Sequence, residues 1–374
     1  MRIVVLPSWY PTHSDDSAGI FFREQAAALA KTGLQVEVLS PCRISLREIL
    51  RRRKPLAALP GLSEKRCSYI GPPRMPRFDE ILWRAIVRRL YSNYLIQHGP
   101  PDILHAHSLY PAGILAAELP ARARILTEHL STLLGPQGPR LAARASSAMS
   151  HFAARIAVGP GLTATMERLA PRGSPWICIP NLVNTEFFTP TRPPSLPVRV
   201  LTVCNLTPNK RVDWMMRAFD CAFGSTDAEL WIVGEGDERR RLQRQAFVLR
   251  SASRIRFLGQ QSRSQVRDLL NQCTIFALAS RHETLGVVLL EAMAMGRPVI
   301  STNSGGPSSI VTDEVGTLVD VDDLPGFAEG MRNLVLRLNA YSQATIRNYC
   351  QMKFGEQAVT SRLIAVYDEA LRGG

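Results

Sequence analysis

No window of this 374-residue chain approaches the roughly 18 uncharged apolar residues of a helical membrane span, so none is expected. The seven cysteines (Cys42, Cys67, Cys178, Cys204, Cys221, Cys273 and Cys350) are odd in number, scattered and free of any C-x-x-C. That argues against a disulfide framework and a thiolate zinc site, and reads as reduced core thiols in a cytoplasmic protein. The opening apolar run is short and breaks at Pro7, which predicts a first strand in place of a signal peptide. Acidic residues are the scarcer charge, 32 against 45 Lys and Arg, for a net charge of +13. Hydrophobic residues make up 45% of the chain, enough for a well-packed globular protein and too many for a disordered one.

The length exceeds what one core usually fills and predicts two domains. Residues 1–180 carry 23 Lys and Arg against 12 Asp and Glu, whereas residues 181–374 carry 22 against 20, so the positive excess belongs to the first half. It concentrates in Arg51-Arg52-Arg53-Lys54 and in the helical stretch Trp83 to Tyr91, where basic and apolar residues alternate. An anionic membrane surface, an acidic substrate or a merely solvated face would each suit this pattern. No aromatic–basic repeat, zinc spacing or nucleic-acid motif accompanies it, so no nucleic-acid partner is expected.

In chain order, residues 2–8 read as a buried strand, followed by a long polar loop to Gly19, an Ala-rich helix from Ile20, and a strand at Val36 to Leu39. Residues 43–77 carry no clear pattern, and a helix is predicted from Asp79 to Gln97. Strands follow at Asp102 to His107, Ile125 to His129, Ile156 to Val158 and Trp176 to Ile179, with a helix predicted after Gly113. A proline-rich passage from Pro180 to Pro197 marks the domain boundary, giving domains 1–180 and 181–355. The pattern then restarts with strands at Val198, Leu230, Ile255, Ile275 and Val299. Strands alternating with helices predict an α/β chain of two doubly wound, Rossmann-like parallel-sheet domains.

The densest chemistry lies in Ala279-Ser280-Arg281-His282-Glu283-Thr284-Leu285-Gly286 and the helix beginning at Val287. Glu283 and Glu291 are eight residues apart, at most about 12 Å on a helix, the span from a ribose across a diphosphate to a sugar. Between them the free amides near Leu285, Gly286 and Val287 would face an anion, with the helix dipole behind them. The same spacing also fits a buried strand–helix unit with a Glu at the helix start. Gly19 could admit a phosphate or sugar to the backbone, or simply serve a loop. His105 and His107 share a strand face, and His129 ends a neighbouring strand, consistent with loop roles or with a ligand site at one sheet edge.

Together these features resemble the retaining glycosyltransferases of family 4, which have the GT-B fold. The resemblance rests on Trp231-Ile232-Val233-Gly234-Glu235-Gly236, Arg256-Phe257-Leu258-Gly259, the Glu283–Glu291 pair and Gly305-Gly306-Pro307 in that order. The Ala18-Gly19-Ile20-Phe21 helix mouth, His105-Ala106-His107 and Thr127-Glu128-His129 also contribute. It implies two domains with a cleft between them, the first completed by the final helix, residues 356–374. Glu283 would bind hydroxyls of a donor sugar, Glu291 the ribose hydroxyls, and Lys210 the leaving phosphate, with His107 near the sugar and Gly19 near the phosphates. Gly234, Leu285, Gly286 and Val287 would complete the donor site, and Glu128 and His129 the acceptor or sugar side. No cofactor or metal is implied, and Asp320-Val321-Asp322 is read as a surface loop.

The chain departs from the family pattern in three places. Asn205 stands where an Arg is usual, and Arg211, in a Gly position, could supply the missing cation; Ser308 replaces a common Glu; and Thr284-Leu285 varies a commoner Gly-Phe type of pair. The resemblance implies transfer of a sugar from a UDP- or GDP-linked donor to a glycan, expected to be lipid-linked, in exopolysaccharide or lipopolysaccharide synthesis. The expected location is the cytoplasmic face of the plasma membrane, with anionic lipid as a partner. The alternatives are a nucleotide-sugar epimerase of the same fold and a non-catalytic glycan-binding relative.

Overall fold

A computed structural model describes residues 1–14, 16, 18–44, 54–71, 75–134, 137–171, 173–191 and 197–373. The basic residues Arg51 to Arg53 and the passage from Pro193 to Leu196 lie outside these. The chain divides into two compact units, Met1–Leu182 with Glu356–Gly374, and Val183–Gly355.

The first unit is built on a parallel sheet of seven strands: β1 (Arg2–Pro7), β2 (Gln35–Ile44), β3 (Leu62–Ile70), β4 (Ile103–His107), β5 (Ala123–Glu128), β6 (Ala154–Ala157) and β7 (Trp176–Cys178), in the order β3-β2-β1-β4-β5-β6-β7. The second has six: β8 (Arg199–Val203), β9 (Glu229–Val233), β10 (Ile255–Gly259), β11 (Ile275–Leu278), β12 (Val299–Thr302) and β13 (Gly316–Val319), in the order β10-β9-β8-β11-β12-β13. Both orders reverse direction once, between β1 and β4 and between β8 and β11. Loops leaving the carboxyl ends of these strand pairs diverge to opposite faces, which leaves a crevice suited to ligands.

Central strands such as β4 and β11 are buried along their whole length, as parallel strands covered on both faces must be. β3 was not apparent in the sequence. It is an edge strand, paired among the described residues with β2 from Val36↔Leu62 to Ile44↔Ile70; its Lys65 and Arg66 meet water, and Glu64 turns inward to pair with Arg23, so no apolar alternation is displayed. The helix expected after Gly113 is only Ile114–Ala116, entered through a wide turn at Leu109–Gly113. The basic helix runs Pro76–His98 and buries Trp83, Val87, Tyr91 and Tyr94, while Phe78, Ile81 and Ile96 stay exposed.

The last helix, Glu356–Arg372, lays Val359, Leu363, Val366, Tyr367 and Ala370 into the same core as Ile3, Val5, Phe22 and Leu29. The second core gathers Val200, Leu230, Ile232 and Ile275 from one face of the sheet with Phe219 and Phe327 of the helices Val212–Phe223 and Leu324–Leu336.

Gly234 closes β9 at φ +129°, and a Cβ there would lie 1.9 Å from the Cys204 carbonyl oxygen. The loops after β8 and β9 can therefore meet only through a glycine, which explains Gly234 as a packing residue. We expect Gly234→Ala to destabilise the protein by about 3 kcal/mol or more in urea unfolding, through overpacking. Gly33→Ala, at φ +87° with open space around the Cβ, should cost only the left-handed strain of about 1 kcal/mol.

Candidate functional site

The crossover between β8 and β11 brings Lys210 and Glu283 together. Lys210 ends the tight turn Pro208–Lys210 after β8, and Glu283 lies in the loop after β11; Lys210 Nζ is 2.5 Å from Glu283 Oε2. The Ser280 hydroxyl donates to the same carboxylate oxygen at 3.0 Å, and the Ser280 carbonyl in turn accepts from Thr302 Oγ1 at 2.6 Å. The side chains are 22% and 12% exposed respectively, so the pair is sheltered yet reachable.

Two backbone seams hold this geometry. On one side the Asn209 side chain donates to the His282 carbonyl at 2.9 Å and accepts from the His282 amide at 3.1 Å, while the Arg281 amide donates to the Asn209 carbonyl at 2.8 Å. On the other side the Glu283 amide donates to the Ser304 carbonyl at 3.0 Å, and the Gly306 amide donates back to the Glu283 carbonyl at 2.7 Å. A Cβ on Gly306 would lie 2.4 Å from the Leu285 amide nitrogen, so Gly305-Gly306 is what lets the loop after β12 reach the Glu283 loop. Sequence reasoning missed Asn209 and Ser280, since neither residue type signals a contact to a loop far along the chain.

Gly286 takes φ +92° at the mouth of the helix Val287–Ala294, whose start has no side-chain cap. Leu285 and Gly286 are both buried. Glu291 lies within the helix and accepts from Arg263 Nη1 at 3.1 Å. Burial raises its pKa, against the lowering pull of Arg263, whose guanidinium lies 4.9 Å from the Phe188 ring centroid and 5.3 Å from that of Phe187. Arg263 also went unnoticed in the sequence. Asn205 is exposed beyond β8. Arg211, which could supply the missing cation, meets Asp322 of the D-x-D and stacks 4.6 Å over Trp214.

In the first unit, the β1–β4 crossover gathers the histidines. His105 Nδ1 bonds Tyr367 Oη at 2.7 Å and its Nε2 bonds Thr127 Oγ1 at 2.7 Å, while His107 Nδ1 and His129 Nε2 are 3.1 Å apart and share one proton between them. The other ring nitrogen of His129 is buried without a partner. Burial pushes His105 down to about 3 and His107 and His129 well below their ordinary value, so all three are neutral near pH 7.

Glu128, expected on the acceptor side, is fully buried. Its carboxylate accepts from the amides of Leu109, His129 and Leu130 at 2.6–2.7 Å, so it braces the ends of β4 and β5. Burial raises its pKa against those hydrogen bonds. Gly19, expected at the phosphates, caps the helix Ile20–Lys31 at φ +74°, with the Trp9 carbonyl oxygen 2.9 Å from where a Cβ would stand. No group of three or more His, Cys, Asp or Glu is arranged to hold a metal among the described residues.

The histidines set a pH dependence. The unfolded chain takes up protons on them below about 6.5 and the folded chain does not, so stability present at neutral pH is lost as pH falls through that value. Glu128 and Glu291, both raised, contribute the opposite slope above their ordinary value of 4.5. Comparison of variants isolates one histidine: His105→Gln should reduce the loss between pH 6 and 5 by about 1.4 kcal/mol per pH unit. Denaturant unfolding across that range tests this, and an unchanged slope would show that His105 takes up a proton in the fold.

Residues 197–337 match the model for "Glycosyl transferases group 1", and residues 18–187 the model for "Glycosyltransferase Family 4". Over 134 residues the chain is 36% identical to the lipopolysaccharide core biosynthesis glycosyltransferase LpsE of Rhizobium meliloti (strain 1021), covering 35% of this chain and 39% of that one. The chain thus spans about two fifths of the length of the first curated relatives it matches. Sucrose-phosphate synthase from Thermosynechococcus elongatus is similar in structure, with a TM-score of 0.82 and 18% identity over 100% of both chains. Anabaena HepE, solved with UDP and glucose, has a TM-score of 0.75 and 16% identity over 98% of this chain and 100% of its own. At these identities the structural likeness concerns the fold alone. With both sheets in Rossmann order and the two models covering successive stretches, the chain belongs to the family 4, group 1 glycosyltransferases of GT-B fold.

Proposed function

We propose that the protein is a retaining glycosyltransferase that moves a sugar from a UDP- or GDP-linked donor to a glycan acceptor. The observation that carries this reading is the Lys210–Glu283 contact at the β8–β11 crossover, beside the uncapped helix at Val287. Lys210 has three donors and Glu283 occupies one, so the ammonium can meet a departing diphosphate without leaving the carboxylate. Such charge neutralisation, set in place before the reaction, usually lowers the barrier more than any other single effect in a site of this kind. Glu283 then holds sugar hydroxyls, the amides at Leu285 to Val287 hold the diphosphate, and Glu291, with Arg263 beside it, holds the ribose. Lys210 and the helix mouth carry the role that a divalent metal has elsewhere.

The acceptor we infer is a lipid-linked glycan of exopolysaccharide or lipopolysaccharide synthesis, met at the cytoplasmic face of the plasma membrane. LpsE, named for lipopolysaccharide core biosynthesis, supports the pathway class. The positive excess of the first half supports attraction to anionic lipid, as does the exposure of Phe78 and Ile81 near Arg77, Arg88 and Arg89 on the helix Pro76–His98.

Nucleotide sugars screened by thermal shift identify the donor, and NMR of the product with that donor tests retention; an inverted anomer would overturn it. Lys210→Met and Glu283→Gln should each lower kcat/KM by on the order of 10² to 10³, measured under conditions where circular dichroism shows the variant folded. Turnover should persist in excess chelator, and a loss reversed by Mg²⁺ or Mn²⁺ would overturn the metal-independent scheme. The protein should sediment with anionic and not with neutral vesicles, and neutralising Arg51 to Lys54 should abolish this. Failure to bind anionic vesicles would favour a soluble acceptor.

A further inference from the structure

Arg211 combines three unfavourable features. It is a non-glycine residue at φ +50°, in the left-handed region that a Cβ disfavours. It sits at the start of the helix Val212–Phe223, where a positive charge opposes the helix dipole. Its side chain is nine-tenths buried, and its Nη1 has no partner. Stacking on Trp214 and the contact with Asp322 offset part of this. Residues that break several local rules at once mark functional positions more often than accidents.

Asp322 is the complementary oddity. It too is a non-glycine residue in the left-handed region, at φ +81°, and its side chain is 64% exposed. The carboxylate oxygen that meets Arg211 Nη2 also lies 3.8 Å from Arg281 Nη2. A solvent-facing carboxylate thus covers a buried guanidinium and draws in a second, exposed one. Two guanidiniums turned to one oxyanion is an arrangement suited to phosphate, which a guanidinium grips through paired N–H groups. An ion pair with one exposed partner is weak, so the carboxylate can be displaced.

We infer that Arg211 and Arg281 form a phosphate site next to Lys210, closed at rest by Asp322, whose carboxylate yields to a phosphate of a substrate. The inference rests on the transfer reaction proposed above. It gives the D-x-D a role in holding the site shut, and it brings Arg211 to a phosphate only once Asp322 has moved.

Inorganic phosphate titrated into the full-length protein at low ionic strength tests this, read by thermal shift and by Trp214 fluorescence against a Trp214→Phe control. Asp322→Asn should tighten phosphate binding about fivefold, the size of an exposed ion pair. Arg211→Gln should weaken binding and abolish the gain from Asp322→Asn. Should Arg211→Gln unfold, Arg211→Lys replaces it, and loss of most of the gain is expected because a lysine lacks the two-pronged contact. Equal affinities in the wild type and both single variants would overturn the proposal, as would a gain from Asp322→Asn that survives without Arg211. Saturating UDP that expels the phosphate identifies the donor diphosphate as the ligand; phosphate retained beside UDP identifies an anionic acceptor; either supports the site. Lys210→Met separates the two readings. If it spares UDP binding and turnover while Arg211 and Asp322 behave as expected, the transfer reading fails and the site stands. If it acts while they do not, the site alone fails.

Discussion

A lysine ammonium 2.5 Å from a glutamate carboxylate, each largely sheltered from water, is the contact on which the carboxyl edge of the second sheet depends. Burying either charge alone would be costly, and breaking such a pair by removing one partner leaves the other uncompensated. The surrounding loops are arranged around that constraint. Asn209 ties the β8 loop to His282, Ser280 supports the carboxylate, and Gly305-Gly306 brings the β12 loop against Glu283. Three loops, those after β8, β11 and β12, therefore share one geometry. It arises because strand order reverses between β8 and β11 and leaves their loops side by side.

The first sheet uses the same topology for a different balance of forces. Its crossover holds no comparable sheltered ion pair among the described residues and instead buries three neutral imidazoles, linked to one another, to Thr127 and to Tyr367 of the last helix. Glu128 is buried there as well, and three backbone amides take the place of a cationic partner. The chain end thus does more than fill a core groove. Tyr367 orients His105, and the rings of His105 and His107 stack 4.3 Å apart.

Much of the positive charge is locally answered. Arg84 and Arg88 share Glu118, Arg256 and Arg199 share Glu229, and Arg23 forms a buried pair with Glu64 that Tyr10 also joins. Arg211 and Arg281 follow the same rule of two guanidiniums to one carboxylate, with the difference that Arg211 and Asp322 both hold left-handed backbone conformations.

Apolar runs, glycine and proline punctuation and the strand–helix alternation by themselves determined the tandem α/β architecture, because these patterns are local and repeat. Family-like motifs singled out Lys210, Glu283, Glu291 and the Gly305-Gly306 pair in the same way. What a local pattern cannot hold is the partner of each residue. Asn209 facing His282, Arg263 facing Glu291 and Asp322 facing Arg211 are meetings across 28 to 111 positions, decided by strand order and loop packing. The edge strand β3 was hidden for a related reason, since it has water on one side and no apolar alternation to display. The tertiary structure also decided that the Glu128 carboxylate is buried under three backbone amides: the space around a side chain belongs to its neighbours, and only the folded chain brings them there.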